Sequence, residues 1–164
     1  MRKYLVMKPY ELWFKYFKTT KCNSIITNFI LPIILMGVFY YYQKSIVISK
    51  ESWAFILPSI ITFSVLIIGF SYSMIITMMT SDSSNDSRVK TEPIKGTNIS
   101  LFEGLLLNFM FIILNLMFVS LIVIFMMILE FHNFLALNII TLIIIISLFS
   151  LIEALSNFLS IYST

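Results

Sequence analysis

The sequence predicts an all-α integral membrane protein, a four-helix bundle preceded by a short amphipathic helix. The 164-residue chain is 59% hydrophobic and 12% charged, whereas charged residues make up about 25% of a typical soluble domain. Its apolar residues are gathered into four long runs, and almost every charged residue lies outside them. The runs are Ser24–Tyr42, Trp53–Met79, Leu101–Leu129 and Phe134–Ile161.

The length of each run matches a membrane crossing. A helix rises about 1.5 Å per residue, so about 20 apolar residues cross a bilayer core of about 30 Å. The runs are apolar on all sides, whereas a helix of a soluble protein keeps one polar face. We therefore expect one transmembrane domain over residues 24–163, with no separate soluble domain, because the longest polar stretch is the connection 81–100.

The distribution of Lys and Arg predicts the orientation. Six of these residues precede the first run, two lie in the first connection and three in the second. Cytoplasmic segments are enriched in Lys and Arg, and an N-terminus in the cytoplasm places nine of the eleven there. We expect both termini to be cytoplasmic. The abundance of Ile, Phe, Asn and Lys is typical of an AT-rich bacterial genome, which indicates the inner membrane of a bacterium.

Residues 1–23 form a basic cytoplasmic segment in which Pro9–Lys21 is predicted to be helical. One face carries aromatic rings and another carries charges, a pattern typical of a helix lying in the membrane interface. Two interpretations stay open: a topology anchor, or a lever that couples a partner to the bundle. The aromatic residues are Tyr10, Trp13, Phe14 and Phe17, and the charged ones are Lys8, Glu11, Lys15 and Lys18.

The outer ends of the first two runs carry aromatic residues. Tyr40, Tyr41 and Trp53 are expected to anchor the chain at the outer interface, where amphipathic rings prefer to lie. Within the first run, Pro32 removes the backbone hydrogen bond to the carbonyl group of Asn28, which predicts a kink.

Small and polar residues in the second and third runs predict helix packing. Gly69, Ser73 and Thr77 form a small-xxx-small pattern, which lets helix backbones approach closely, either within the chain or between subunits. Asn108 and Asn115 share one face of the third helix. Interhelical hydrogen bonds are the expected use of such side chains, and lining a pore is the alternative.

The fourth run is unusual because it carries a polar face. Glu153 is ionisable, and such residues within a span usually face protein or water. A partly hydrated helix end, a subunit contact and a cytoplasmic vestibule all stay open as interpretations. The face consists of Ser147, Ser150, Glu153, Ala154, Asn157 and Ser160.

Local patterns predict two helix starts and one docking loop. Ser100 and Glu103 have the spacing of a capping box, and Asn133 is a candidate N-cap of the fourth helix. The connection 81–100 reads as a flexible cytoplasmic loop. Its Arg88, Lys90 and Lys95 are candidates for docking a partner, since loops often carry function.

The sequence carries no pattern that indicates catalysis. No phosphate-binding loop, paired metal-ligand motif or nucleophile elbow occurs, and Cys22 and His132 are expected on opposite sides of the membrane. We therefore expect no enzymatic activity, no cofactor, no metal site and no direct nucleic-acid binding. Four spans are few for a stand-alone transporter, so a homo-oligomer or a protein partner is expected beside the lipid bilayer.

The layout resembles small four-helix membrane proteins of bacterial phage-defence cassettes, including the membrane subunit of Kiwa-type systems. The shared elements are the short cytoplasmic N-terminal segment, a second span that ends in Ser73-Met-Ile-Ile-Thr77-Met-Met, the polar loop and the long final pair. The resemblance implies a membrane sensor or effector that acts with a cytosolic partner in antiviral defence, and it identifies no functional residue.

The leading hypothesis is a non-enzymatic, homo-oligomeric membrane subunit that senses or signals at the membrane and recruits a cytosolic protein. The alternatives are an oligomeric pore lined by Asn108, Asn115 and the face from Ser150 to Asn157, and a permease or bacteriocin-immunity subunit.

Overall fold

A computed structural model describes residues 9–19, 22–43, 48–80 and 100–162. The described chain is all-helical. It consists of α1 (Pro9–Thr19), α2 (Cys22–Ile25), a π-helical turn (Ile26–Ile30), α3 (Leu31–Gln43), α4 (Lys50–Thr80), α5 (Leu101–Ile128) and α6 (Phe134–Tyr162).

Three helices are long and apolar enough to cross a membrane. They are Lys50–Thr80, Phe102–Ile128 and Phe134–Leu159, which correspond to the last three predicted runs. The first run differs because it is divided into α2, the π-helical turn and α3, and its apolar helical stretch, Ile26–Val38, is shorter. The prediction of an all-helical chain with long apolar helices is therefore confirmed, and a fourth span stays a prediction.

The break in the first run has a local cause. Within the π-helical turn the N–H of Leu31 bonds to the carbonyl oxygen of Ile26, five residues earlier. Pro32 follows directly and lacks a backbone N–H, so a regular helix cannot continue unchanged through this point. The sequence predicted an irregularity here, and the structure shows it as a wider helical turn.

Helix α5 lies at the centre of the fold, because it packs against α1, α4 and α6. Phe109, Phe111, Ile112 and Leu116 are fully buried on it. They join Met78 near the end of α4 and Ala154 in α6 in one apolar cluster. A second cluster joins the start of α4, the end of α5 and the start of α6. Consecutive long helices are therefore antiparallel.

A tight turn joins α5 to α6. The N–H of Phe131 bonds to the carbonyl oxygen of Met126 at 2.9 Å, and Glu130 has a φ of 48°. Asn133 then caps α6, because its Oδ1 accepts the N–H groups of Leu135 at 2.8 Å and Ala136 at 3.2 Å. This confirms the predicted cap. At the start of α5, Ser100 Oγ likewise accepts the N–H of Glu103.

Candidate functional site

The N-terminal helix is attached to the bundle by a buried tyrosine. Tyr16 is 3% exposed, and its ring stacks on that of Phe111 in α5, with centroids 3.9 Å apart and the planes nearly parallel. Beside it, the rings of Phe17 and Phe29 lie 4.8 Å apart. Helix α1 therefore packs against both the third and the first apolar segments, and Tyr16, which was absent from the predicted aromatic face, makes the central contact.

A polar cluster lies around the hydroxyl group of Tyr16, and we call it the latch. Asn28 Nδ2 donates to the Tyr16 hydroxyl at 3.5 Å, and the Tyr16 hydroxyl lies 3.4 Å from Ser150 Oγ. These bonds connect α1 with the first and the fourth apolar segments. The latch comprises Tyr16, Ser24, Asn28, Ser150 and Glu153.

The carboxyl group of Glu153 receives a donor on each oxygen. Ser24 Oγ donates to Oε1, and Asn28 Nδ2 donates to Oε2. Hydrogen bonds to a carboxylate contribute about 1.5–3 kcal/mol each in soluble proteins. The polar environment that an ionisable residue requires within an apolar helix is thus supplied from the first apolar segment, more than a hundred residues earlier in the chain.

The π-helical turn explains how Asn28 reaches this position. Asn28 lies in the middle of the turn and is 1% exposed. A π-helical turn shifts the helix register by adding a residue to one turn, and such turns occur frequently at functional sites. Pro32, four residues later, is also buried. The irregular backbone and the latch are therefore parts of the same local feature.

The polar face of α6 points partly into the protein. Ser147 and Ser150 are fully buried, as is Ala154, whereas Asn157 is exposed. The hydroxyl group of Ser147 bonds to the carbonyl oxygen of Ile143 within its own helix. The sequence left three interpretations open, and a contact within the chain was not one of them. Ser150 and Glu153 nevertheless make such a contact, with residues of α1 and the first apolar segment.

Asn108 and Asn115 lie inside the described fold without the expected partners. They are 8% and 3% exposed, and the Oδ1 atom of each lacks a hydrogen-bond partner among the described residues. Both amides therefore keep unused hydrogen-bonding capacity. An unpaired polar atom in an apolar interior lowers the stability of the fold.

The predicted small-residue face of α4 is exposed, and it is not packed against another element in the described part of the chain. The helix packs through Trp53, Leu57, Ser64, Ile67, Ser71, Ile75 and Met78. Gly69, Ser73 and Thr77 are exposed, and no atom of another element lies within 4 Å of a Cβ built on Gly69. A contact between subunits, the other possibility that the sequence left open, stays a prediction for this face.

The predicted membrane anchors fall into two groups. Tyr40, Tyr41, Trp13, Phe14 and Phe17 are exposed, and Lys15 is half-buried. Trp53 is 5% exposed instead, and its ring lies 5.4 Å from that of His132, so it packs inside the fold rather than facing outward. The side chain of Lys18 and the whole of Arg88, Lys90 and Lys95 lie outside the described residues.

A groove separates the exposed rings of α1 from α5. It has a volume of about 780 Å³, and Asn115 lies in its lining between aromatic and aliphatic side chains. No group of three or more His, Cys, Asp or Glu residues comes together in the described ranges in a way that suits a metal ion. The chemistry of the described site is therefore hydrogen bonding and apolar contact.

Comparison with known proteins adds no assignment. No protein-family model, curated protein or solved structure matches the chain. The class defined by its fold is a helical protein with three long apolar helices compatible with membrane spans.

Proposed function

We propose that this chain is a non-enzymatic, multi-pass subunit of a bacterial cell membrane that signals through α1 and recruits a cytosolic protein. The observation that carries the proposal is the latch, because its hydrogen bonds tie an amphipathic helix to two apolar segments at once. A change in the packing of those two segments therefore changes the contacts that hold α1. A movement of α1 likewise changes the packing of the two segments. The helix is thereby suited to act as a lever.

The proposed topology has four spans with both termini in the cytoplasm. Nine of the eleven Lys and Arg residues then lie on the cytoplasmic side, as the positive-inside rule favours. The broken first segment, Cys22–Gln43, supplies the fourth crossing: at about 1.5 Å per residue its length is close to that of a bilayer core. The antiparallel order of α4, α5 and α6 agrees with this arrangement.

The proposed partner docks on the cytoplasmic side, on the connection 81–100. That connection carries Arg88, Lys90 and Lys95, whose charges suit an acidic protein surface. The exposed face of Gly69, Ser73 and Thr77 supports self-association. The resemblance to membrane subunits of phage-defence cassettes suggests antiviral defence as the setting. The oligomeric pore and the permease or immunity subunit are not proposed, because no observation on the described residues favours either.

The proposal is tested by purifying the tagged protein from its native host with and without an intact latch. We expect a stoichiometric cytosolic protein to co-purify with the wild type, and its amount per chain to change in Asn28→Leu. Ser120→Ala is the matched control, because the Ser120 hydroxyl bonds only to its own helix backbone, at the carbonyl oxygen of Leu116. A monodisperse monomer without any partner contradicts the proposal.

A further inference from the structure

The π-helical turn Ile26–Ile30 contains one more residue than a turn of regular α-helix. The N–H of Leu31 bonds to the carbonyl oxygen of Ile26, five residues earlier instead of four. Conversion of this turn to α-helix therefore shifts the register of the preceding helix, α2, by one residue. One residue of α-helix corresponds to a rotation of about 100° and a rise of about 1.5 Å. A change confined to a few residues thus has a large effect on the direction of the side chains before it.

Two side chains of the turn point into the described fold. Asn28 is 1% exposed and donates to Oε2 of Glu153, and the half-buried ring of Phe29 lies against rings of α1 and α5. A ring contact tolerates sliding, whereas a hydrogen bond fixes the direction of its donor. The bond to Glu153 is therefore the contact that defines the orientation of the turn. The exposed side chains are those of Ile26, Thr27 and Ile30.

Pro32 reduces the difference in free energy between the wide turn and an α-helical one. Because proline has no backbone N–H, both forms lack one hydrogen bond at this position. In the α-helical form, the proline ring also clashes with the carbonyl group of Asn28, four residues earlier. Part of the usual advantage of the α-helix is thus removed, and the alternative to the wide turn is an α-helix kinked at Pro32. The hydrogen bonds of the latch can then decide between the two forms.

The latch is compatible with only one of these forms. Ser24 and Asn28 donate to the two oxygens of the Glu153 carboxyl group, so both side chains must point towards α6 at the same time. With α3 held in place, tightening of the turn rotates Ser24 by about 100° and Asn28 by part of that angle. Both donors are then withdrawn from the carboxyl group. The wide turn and the latch therefore form together and are lost together, which makes the pair bistable.

We propose that Ile26–Ile30 is a register switch. The intact latch keeps the turn π-helical, and release of Glu153 lets it tighten to a proline-kinked α-helix. Tightening rotates α2 by one residue and thereby displaces the chain that leads back to α1. The inference rests on the proposed function and deepens it, because it gives the lever two defined positions instead of a continuous range.

Distances between spin labels test the proposal. Labels on Ile26→Cys and Ile152→Cys, both at exposed positions, in a Cys22→Ser background, report the direction of the turn relative to α6 by double electron–electron resonance in nanodiscs. The intact latch should give one distance. Asn28→Leu and Glu153→Ala release the same hydrogen bond from opposite sides and should give the same second distance. It should differ by several ångströms, because a helix with its side chains is about 10–12 Å across.

Deletion of Ile30 separates a register switch from a general loss of contacts. A chain shorter by one residue presents Ser24 in its observed direction with a regular α-helix, so adding Asn28→Leu should leave the distance unchanged. Ile30→Ala keeps the length of the turn and truncates an exposed side chain, so the same addition should still produce the full shift.

Three results overturn the proposal: an equal shift with and without the deletion, different distances for Asn28→Leu and Glu153→Ala, or no shift in either. If the shortened chain does not fold, the comparison of the two release variants decides alone. The assay contains no protein partner, so its failure leaves recruitment standing, and a failure of co-purification leaves the register switch standing.

Discussion

Asn28, in the middle of a π-helical turn, donates a hydrogen bond to Oε2 of Glu153, which lies 125 residues later in the chain. The bond joins the first apolar segment to the last. Ser24 occupies the other oxygen of the same carboxyl group, and the hydroxyl group of Tyr16 lies beside the amide nitrogen of Asn28. One carboxyl group thus organises the contact among α1, the first segment and α6.

The coupling between Asn28 and Glu153 should be measurable as a free energy. In a double-mutant cycle of Asn28→Ala and Glu153→Ala, we expect a coupling of about 1–2 kcal/mol in the free energy of unfolding, at the upper end of the range for hydrogen bonds between membrane helices. Unfolding in sodium dodecyl sulfate provides the measurement. The matched pair Ser59→Ala and Glu153→Ala should show no coupling, because Ser59 bonds to the carbonyl oxygen of Phe55.

Replacement of Tyr16 should separate its ring from its hydroxyl group. Tyr16→Ala removes a buried ring stacked on Phe111 and should lower the free energy of unfolding by about 3 kcal/mol. Tyr16→Phe keeps the stack and loses the two long hydrogen bonds of 3.4 and 3.5 Å, so its effect should be below about 1 kcal/mol. Phe14→Ala is the control, since Phe14 is 75% exposed. A large effect of Phe14→Ala on unfolding of the isolated chain would contradict the described packing.

Replacement of Glu130 by glycine should stabilise the turn between α5 and α6. The Glu130 φ of 48° lies in the left-handed region, which costs an L-residue about 1 kcal/mol. Glu130→Gly should therefore raise the free energy of unfolding by up to about 1 kcal/mol. Glu51→Gly, in the first turn of α4, should lower it instead. A loss of stability in Glu130→Gly comparable to that in Glu51→Gly would show that the turn is not left-handed there.

Replacement of Gly69 should affect self-association of the protein much more than the stability of the single chain. Because a Cβ at this position meets no atom within 4 Å, Gly69→Leu should leave the stability of the single chain almost unchanged. It should weaken self-association by at least about tenfold if the small-residue face is the contact, since close backbone approach is lost. Sedimentation in detergent measures the association. Tyr72→Leu, at a position that is exposed and on a different side of α4, is the control and should associate like the wild type.

Much of the architecture could be predicted from the sequence, because apolar length and helix caps are local properties. The last three runs agree with the helices within a few residues. Asn133 and Ser100 cap the predicted helices because a cap depends on a side chain and the next three residues. The irregularity before Pro32 was predictable for the same reason.

The latch could not be predicted in full, because it depends on which faces meet in three dimensions. Glu153 and Ser150 were recognised as unusual from the polar face alone, whereas their partners Tyr16, Ser24 and Asn28 were missed. A signal was present: Asn28 is a polar residue inside the first apolar run, four residues before its proline. Helical periodicity in α1 selected the four aromatic residues of one face. Trp13 and Phe17 of that face do lie beside Phe111, but the ring that stacks on Phe111 is that of Tyr16.

The central claim is that the latch holds α1 against the bundle, and a distance measurement tests it most directly. Spin labels on cysteines at Phe14 and Ile152, both exposed, in a Cys22→Ser background, report the separation of α1 and α6 by double electron–electron resonance in nanodiscs. We predict one narrow distance distribution for the intact latch and a broad or shifted one when Asn28→Leu and Glu153→Ala are added. A broad distribution with the latch intact, or an unchanged narrow one without it, would contradict the account.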